Sequence, residues 1–214
     1  MRRLGEMGEK VILITATDGS GGEIMPPAEK KYKKLGSVSA VRKEELAAAV
    51  KILGIHESQL LAFEDGHITN VQVWGDLTNT FVELIEKYKP EMVITFDHSG
   101  WYFHLDHIAV SLAATLAVQQ SEHRPDLVFL NHYFVHNERW KYIFADQAPI
   151  THTVDISAQI EVKKQAFAAH ISQNLKFPEE MLTKPEGTKE LFQLAFSTPK
   201  GTKWLAKQKI FQAV

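Results

Sequence analysis

The sequence predicts a single-domain α/β fold with a mostly parallel sheet and helices on both of its faces. Two observations lead to this prediction. Short apolar runs that suit strands alternate with longer segments of helical periodicity. In addition, a polar cluster comes directly after each of three strands, and the carboxyl edge of a parallel sheet is where such folds bind ligands.

Four strands are predicted from apolar or β-branched runs that end at turn residues. Two of these runs are continuous, which is typical of strands buried on both faces of a sheet. A further run at residues 154–157 leads into a helix. The four strands cover residues 11–16, 60–63, 92–96 and 127–134, and the two continuous runs are 11–16 and 92–96.

The clearest helix covers residues 37–55. Ser37 or Ser39 can cap its start, its apolar residues repeat at helical spacing from Val41 onward, and Gly54 can end it. Beyond Gln173 the sequence is polar and interrupted by prolines, so we expect an excursion or flap before the last helix. The other predicted helices are the end of one at residues 1–8 and full helices at 76–89, 106–119, 158–170 and 202–211.

Composition excludes several classes of protein. The 214 residues carry a net charge of −2 and contain no cysteine. The charge gives no basic surface for nucleic acid, and the missing cysteines exclude disulfides, thiolate metal sites and a cysteine nucleophile. No apolar stretch approaches the roughly 20 residues of a membrane span. We therefore expect a cytoplasmic protein with no nucleic-acid or membrane partner, and homo-oligomerisation is left open.

The stretch His104-Leu105-Asp106-His107 carries the most chemistry. Neutral imidazole is a good zinc ligand, and a nearby carboxylate can orient it or share proton transfer. His104 and His107 are three residues apart, so one helical turn would point both to the same side. The alternative is that Asp106 caps the helix and both histidines are ordinary surface residues.

The other candidate site residues can each be explained without a functional role. Tyr102 could donate a hydrogen bond to an oxyanion or could be a packed loop aromatic. Arg42 could bind a substrate hydroxyl or anion, or could form an exposed ion pair with Glu45 three residues later. Asp18 and Asp65 sit in Asp-Gly turns, which are common for local reasons. His170 and Gln173 end a helix, and His132 and His136, roughly 13 Å apart on one strand, cannot chelate one ion together.

Five stretches of the sequence occur in a characteristic order: VILITATDG, VRKEELAAAVKILGI, FEDG, HLDHIAV and KKQAFAAHISQ. Together they resemble the PIG-L/LmbE-like family of zinc-dependent N-acetyl-sugar deacetylases. The resemblance covers about residues 4–175 and implies a Rossmann-like deacetylase domain over residues 1–175, with 176–214 as its C-terminal flap and helix. It also implies hydrolysis of an acetamide on an N-acetylglucosamine-type sugar.

The resemblance also implies a role for each site residue. His107 would bind a single Zn²⁺, and His104, supported by Asp106, would stabilise the oxyanion or protonate the leaving amine. Tyr102 would contact the oxyanion. Arg42 and Asp65 would hold hydroxyls of a small amino-sugar substrate. Leu105 stands where the family usually has proline.

One family motif has no counterpart in this sequence. The motif Ala-His-Pro-Asp-Asp-Glu supplies two zinc ligands and the general base, and the 214 residues do not contain it. We therefore expect half of a zinc site, with the other half and the first, central strand upstream of Met1. The truncated chain is then expected to be aggregation-prone, to bind zinc weakly and to show negligible activity.

Two other functions are compatible with the sequence. A non-catalytic sugar-binding or interaction protein would keep the fold without the metal. A nucleotide binder is a weaker alternative, because Thr-Asp-Gly-Ser-Gly-Gly is not the phosphate-binding pattern G-x-G-x-x-G and does not open into a helix.

Overall fold

The computed structural model describes residues 1–132 and 149–214 and confirms the α/β class. The chain forms two compact units, each made of two pieces of sequence. The first unit contains Met1–Gly66 and Ile156–Thr188, and the second contains His67–Asp155 and Lys189–Val214.

Helices and strands alternate through most of the described chain. The strands are β1 (Ile12–Thr17), β2 (Glu57–Phe63), β3 (Met92–Phe96), β4 (Leu127–His132), β5 (His152–Asp155), β6 (Lys189–Ser197) and β7 (Gln212–Ala213). The helices are α1 (Arg2–Glu6), α2 (Glu29–Leu35), α3 (Val38–Leu53), α4 (Val71–Tyr88), the short α5 (Gly100–Phe103), α6 (Leu105–Gln120), α7 (Ile160–Ala168), α8 (Lys176–Leu182) and α9 (Pro199–Gln208).

The first unit contains a parallel pair of strands, β1 and β2, joined through α2 and α3. α3 begins where the sequence predicts, because the Ser37 side chain accepts a hydrogen bond from the Ala40 amide at 3.1 Å. It ends at Gly54, whose left-handed φ of 66° suits glycine. α3 packs against α7 from the second piece of this unit.

The second unit contains a five-stranded sheet in the order β3-β4-β6-β5-β7. β3 and β4 are parallel, and the other three pairs are antiparallel. β4 lies in the core, since four consecutive residues, from Leu127 to Leu130, are at most 3% exposed. Phe129 stacks on Phe211 with 4.3 Å between ring centroids and contacts Phe192 edge-on, so the core draws on three separate segments.

The prediction that β1 and β3 are buried on both faces is wrong. In β1 only Ala16 is buried, and in β3 no residue is, with Ile94 38% exposed. Within the described residues, each strand has a single partner, β2 for β1 and β4 for β3, so each ends its own sheet. An end strand keeps one edge unpaired and buries less side-chain surface than a central strand.

The predicted flap beyond Gln173 is also wrong, because this segment contains helix α8 and strand β6. β6 lies between β4 and β5 in the sheet and pairs antiparallel with both. Phe192 in β6 is 5% exposed and joins the aromatic core around Phe129. The C-terminal part of the chain is therefore central to the second sheet.

Two smaller differences concern element boundaries. α4 begins at Val71, before the predicted residue 76, because the Asn70 side chain accepts from the Gln72 amide at 3.0 Å and caps the helix there. β4 is described as far as His132, and predicted strand residues 133 and 134 lie outside the described residues, as does His136. Within residues 1–132 and 149–214, none of the helices has both the length and the apolar character needed to cross a bilayer.

Candidate active site

A buried carboxylate shapes the turn that follows β3. Asp97 is 3% exposed, and its Oδ1 accepts hydrogen bonds from the Ser99 amide at 2.8 Å and from the Ser99 hydroxyl. Its Oδ2 accepts from the Trp101 amide at 3.3 Å. The Asp97 amide donates to the Asn131 carbonyl at 2.9 Å, which extends the pairing of β3 with β4. Asp97 thus fixes the turn to the end of the strand.

Gly100 lets this turn pass close to α6. Its φ is +61°, and a Cβ at this position would lie 2.8 Å from Ile108 Cγ1 and 2.9 Å from the Ile108 nitrogen. Trp101 and Phe103 also have positive φ values, of 67° and 62°, which cost roughly 1–2 kcal/mol for a residue with a side chain. The Trp101 indole donates to the Asn131 carbonyl at 3.0 Å and offsets part of that strain.

The start of α6 brings two imidazole rings together. The His104 and His107 rings are 4.6 Å apart between centroids, which confirms the expectation that they point to the same side. His107 also stacks on Phe96 of β3 at 4.2 Å. Its Nδ1 lies 3.3 Å from the Gly100 carbonyl, and since a carbonyl only accepts, Nδ1 carries the proton. In the neutral ring the lone pair is therefore on Nε2, the usual arrangement for a metal-binding histidine.

Asp106 and Tyr102 complete this turn. Asp106 is 5% exposed and is the second residue of α6, whereas His104 occupies the N-cap position, so the alternative of Asp106 as the cap is wrong. A carboxylate in the first helical turn is favoured by the helix dipole.

The centroid of the Tyr102 ring lies 5.5 Å from that of His107, and partial burial raises the pKa of the Tyr102 hydroxyl. Tyr102 therefore keeps its proton at neutral pH and can donate it in a hydrogen bond.

The same region contains two further histidines. The Ser111 hydroxyl donates to the Phe96 carbonyl at 2.6 Å, so it accepts from His98 Nδ1 at 2.9 Å. His132, at the end of β4, is 6% exposed, and no described residue hydrogen-bonds its Nε2. Burial lowers the pKa of His132, although the nearby Asp97 charge acts in the opposite direction. Sequence reasoning gave neither residue a place in the site.

The described residues do not assemble a zinc site on their own. Nowhere in residues 1–132 and 149–214 do three or more His, Asp or Glu side chains form a group that could hold a metal ion. A catalytic zinc ion needs about three protein ligands and a water molecule. His107 fits one of these positions through its Nε2, and the donor set beyond it is incomplete.

In the first unit, a glycine-rich loop brings Asp65 and Arg42 together. Asp65 accepts from the Thr17 hydroxyl at 3.0 Å and from the Gly21 amide at 3.2 Å. A Cβ on Gly21 would lie 3.0 Å from Asp65 Oδ2, and a Cβ on Gly22 would lie 2.5 Å from Arg42 Nη2. The two predicted sugar-binding side chains therefore contact adjacent glycines, and a side chain at Gly22 would displace the Arg42 guanidinium.

Arg42 and Asp18 have different environments in this loop. Arg42 Nη2 donates to the Glu23 carbonyl at 3.3 Å, whereas its buried Nε has no hydrogen-bond partner among the described residues. Burial tends to raise the pKa of Asp18, but hydrogen bonds from Ser20 and Ser39 outweigh it and lower the pKa overall. Asp18 is therefore ionised at neutral pH, as a group that binds hydroxyls or cations would be.

Glu45 is not the exposed partner of Arg42 that the alternative reading expected. It is completely buried, and its two carboxylate oxygens accept from the Ser172 amide at 2.8 Å and the Ser172 hydroxyl at 2.7 Å. Sequence reasoning missed this contact, which joins residues 127 positions apart. One signal was available: Glu45 lies four residues after Val41 and four before Ala49, on the buried stripe of α3.

Because the polar clusters that contain Asp18, Asp65 and the two histidines each follow a predicted strand, the sequence predicts that they line one cleft. That cleft would combine residues of both units. Arg42, Asp18 and Asp65 belong to the first unit, and His104 and His107 belong to the second. A common cleft for Asp18, Asp65, His104 and His107 therefore stays a prediction.

A sequence profile of the PIG-L family, described as GlcNAc-PI de-N-acetylase, matches residues 1–118. The match covers more than half of the chain and includes Arg42, Asp65 and the segment from Tyr102 to His107. The chain belongs to the PIG-L family.

Two curated relatives in the family are named for the same activity. The 1D-myo-inositol 2-acetamido-2-deoxy-α-D-glucopyranoside deacetylase of Saccharomonospora viridis is 29% identical over 242 aligned positions, which span 93% of this chain and 89% of the relative. The enzyme of the same name from Kineococcus radiotolerans is 29% identical over 142 positions, 55% of this chain. The chain covers only 39% of that relative's length.

Solved structures show that the PIG-L fold serves more than one reaction. The N,N'-diacetylchitobiose deacetylase of Pyrococcus horikoshii superposes with a TM-score of 0.65 at 20% identity, covering 90% of this chain and 75% of the other. GalB, the 4-carboxy-2-hydroxymuconate hydratase of Pseudomonas putida, reaches a TM-score of 0.63 at 17% identity, covering 92% and 88%. At these identities the likeness shows the fold alone, so the reaction has to be argued from the site.

Proposed function

We propose that this protein hydrolyses the acetamide of an N-acetyl amino sugar or glycoconjugate of the N-acetylglucosamine type. The observation that carries the proposal is the turn after β3, which brings the rings of Tyr102, His104 and His107 together. Each pair of these rings has its centroids no more than 6.0 Å apart. The names of the curated relatives support the same reaction. The substrate partner is then a small amino sugar.

The proposed roles follow from the position and chemistry of each side chain. Tyr102, which keeps its proton at neutral pH, donates a hydrogen bond to the oxygen that becomes negative during hydrolysis. His104, at the exposed start of α6, stabilises that oxygen or gives a proton to the leaving amine, and Asp106 supports it. Arg42 and Asp65 hold sugar hydroxyls.

Zinc dependence is typical of deacetylases in this family. His107 is the residue that would bind the ion here, because its Nδ1 proton points at the Gly100 carbonyl and leaves the lone pair on Nε2. The described residues do not complete the ligand set, so the Zn²⁺ ion stays a proposal, as does the cytoplasmic location.

A second candidate function is non-catalytic sugar binding. The observation that favours it is that Asp65 and Arg42 both contact the glycine-rich loop of the first unit, independently of the histidine turn. In that case Arg42 and Asp65 would still bind hydroxyls, and no acetate would be released.

The deciding experiment measures acetate release from N-acetylglucosamine derivatives together with bound zinc. We expect a form of the protein that also carries the family motif Ala-His-Pro-Asp-Asp-Glu to release acetate. In that form His107→Ala should lose its zinc, and His104→Ala should keep zinc but lose rate by about 10²-fold. Equal loss of zinc in both variants would contradict the assigned roles. Sugar binding without acetate release would favour the second candidate, and the absence of both would refute the two together.

A further inference from the structure

Glu45 is buried in an environment that is energetically unfavourable for a charged side chain. It is a carboxylate with 0% exposure on the buried face of α3. Burying a charge is unfavourable unless hydrogen bonds and nearby positive groups compensate for the lost water. Ser172 donates two hydrogen bonds to this carboxylate, and His170 Nδ1 lies 3.9 Å from its Oε2.

Ser172 links this carboxylate to the glycine-rich loop. The residue is completely buried and gives both its amide and its hydroxyl proton to Glu45. Its carbonyl accepts from the Met25 amide at 3.0 Å. Met25 lies two residues after Glu23, whose carbonyl accepts a hydrogen bond from Arg42. One buried serine therefore joins Glu45 to the end of the loop that contacts Arg42.

The same loop is fixed at its other end by Asp65. The Gly21 amide donates to Asp65 Oδ2 at 3.2 Å, and the neighbouring Gly22 packs against the Arg42 guanidinium. The loop is thus held by Asp65, by Arg42 and, through Met25, by Ser172. The first two residues are the proposed sugar-binding pair, and the third donates both its amide and its hydroxyl proton to Glu45.

We infer that Glu45 is a positioning residue for the sugar subsite: through Ser172 it sets the conformation of residues 19–25 and so the placement of Arg42 and Asp65. The inference rests on the proposed function insofar as the subsite binds an amino sugar. Glu45 itself does not touch the sugar.

The test uses the full chain with Glu45→Gln and Ser172→Ala. Glu44→Gln is the matched control, because Glu44 is adjacent on α3 but its side chain is 56% exposed and pairs with Lys31. Circular dichroism and urea unfolding establish that each variant is folded. Amide hydrogen exchange then reports on Met25 and Gly21, and an NMR titration with N-acetylglucosamine gives the Kd of the folded protein.

We expect Glu45→Gln and Ser172→Ala to speed exchange at Met25 and Gly21 by about tenfold or more, and to raise the Kd by a similar factor. Glu44→Gln should change neither. Unchanged exchange at Met25 and Gly21 in a folded Glu45→Gln variant would overturn the inference, whatever the Kd for the sugar. Faster exchange with an unchanged Kd would overturn its functional part. If the unmodified chain binds no sugar, the proposed function fails, and the exchange measurement alone decides the role of Glu45.

Discussion

Gly100 shows how a single residue determines the geometry of the candidate site. Its φ of +61° disfavours any side chain, and an added Cβ would lie 2.9 Å from the backbone nitrogen of Ile108. Backbone atoms cannot move aside as a flexible side chain can, so the turn or the start of α6 would have to shift. His107, next to Ile108, would shift with it.

We therefore expect Gly100→Ala to lower the free energy of unfolding by about 2–4 kcal/mol, from the left-handed backbone and the collision together. Gly75→Ala is the control, because that glycine lies inside α4 with open space around it. Alanine there should raise stability by about 0.5–1 kcal/mol. Urea unfolding of both variants measures the difference, and equal effects would contradict the role of Gly100.

The environment of His170 provides a second test at the level of one residue. Burial lowers the pKa of this imidazole, the Glu45 charge raises it, and the Arg42 charge lowers it further. Removing the Glu45 charge leaves only the two lowering effects. Glu45→Gln should therefore lower the pKa of His170, as measured by NMR titration of the ring proton on Cε1. Glu44→Gln should not, and a rise in the Glu45→Gln variant would contradict the assigned contact.

At this scale, local chemistry was predictable and distant contacts were not. The pairing of His104 with His107 follows from their spacing on one helical turn, and the structure confirms it. The bond between Glu45 and Ser172 joins two distant segments, and no local pattern specifies such a partner. Asp97 was missed for another reason: it lies just beyond the predicted strand at residues 92–96, and no sequence pattern indicates that its carboxylate organises the whole turn.

Helix caps allow a test at the scale of elements. The Ser37 side chain accepts one hydrogen bond, from the Ala40 amide, whereas Thr198 both accepts from the Gly201 amide at 3.1 Å and donates to Asp126 at 2.6 Å. Ser37→Ala should cost about 1 kcal/mol of stability. Thr198→Ala should cost about 2 kcal/mol, because a hydrogen bond to a charged group is lost as well. Thermal and urea unfolding give both values, and an equal cost would mean that the Asp126 bond contributes nothing.

Helices whose apolar residues repeat at helical spacing were predicted, and elements without such a pattern were missed. α3 and α6 have clear start signals and apolar patterns, and their observed bounds lie close to the predicted ones. α2 was missed because its sequence, EKKYKKL, has no apolar stripe, and its packing against α3 cannot be seen in the sequence. β6 was missed because prolines and charges just before it suggested a flap, while its partners β4 and β5 are distant in sequence.

At the scale of the whole molecule, one buried and two partly buried histidines make stability depend on pH. Burial lowers the pKa of His132, His152 and His170 below the ordinary value of 6.5. The unfolded chain therefore binds protons at a higher pH than the folded chain does. This contribution to stability is fully present above pH 6.5 and is lost as the pH falls through 6.5 toward the lowered folded-state values.

The free energy of unfolding should thus decrease as the pH falls from about 7.5 to about 5. His132→Gln and His170→Gln should each flatten that decrease, because each removes one imidazole that protonates on unfolding. Urea unfolding at several pH values measures the slope. A stability that rises toward pH 5, or slopes that do not change in either variant, would show that other groups control the pH response.

The place of β6 in the sheet also determines the order in which the protein can fold during synthesis. β4 leaves the ribosome first, β5 follows, and β6 emerges after both. β4 and β5 nevertheless each pair with β6 and not with each other. Until residues 189–197 emerge, β4 has only the parallel partner β3, and the aromatic core around Phe129 lacks Phe192 and Phe211. Such long-range pairing slows folding and leaves strand edges exposed in the nascent chain. The second unit therefore cannot be completed before β6 has emerged, and until then β4 and β5 lack the strand that joins them.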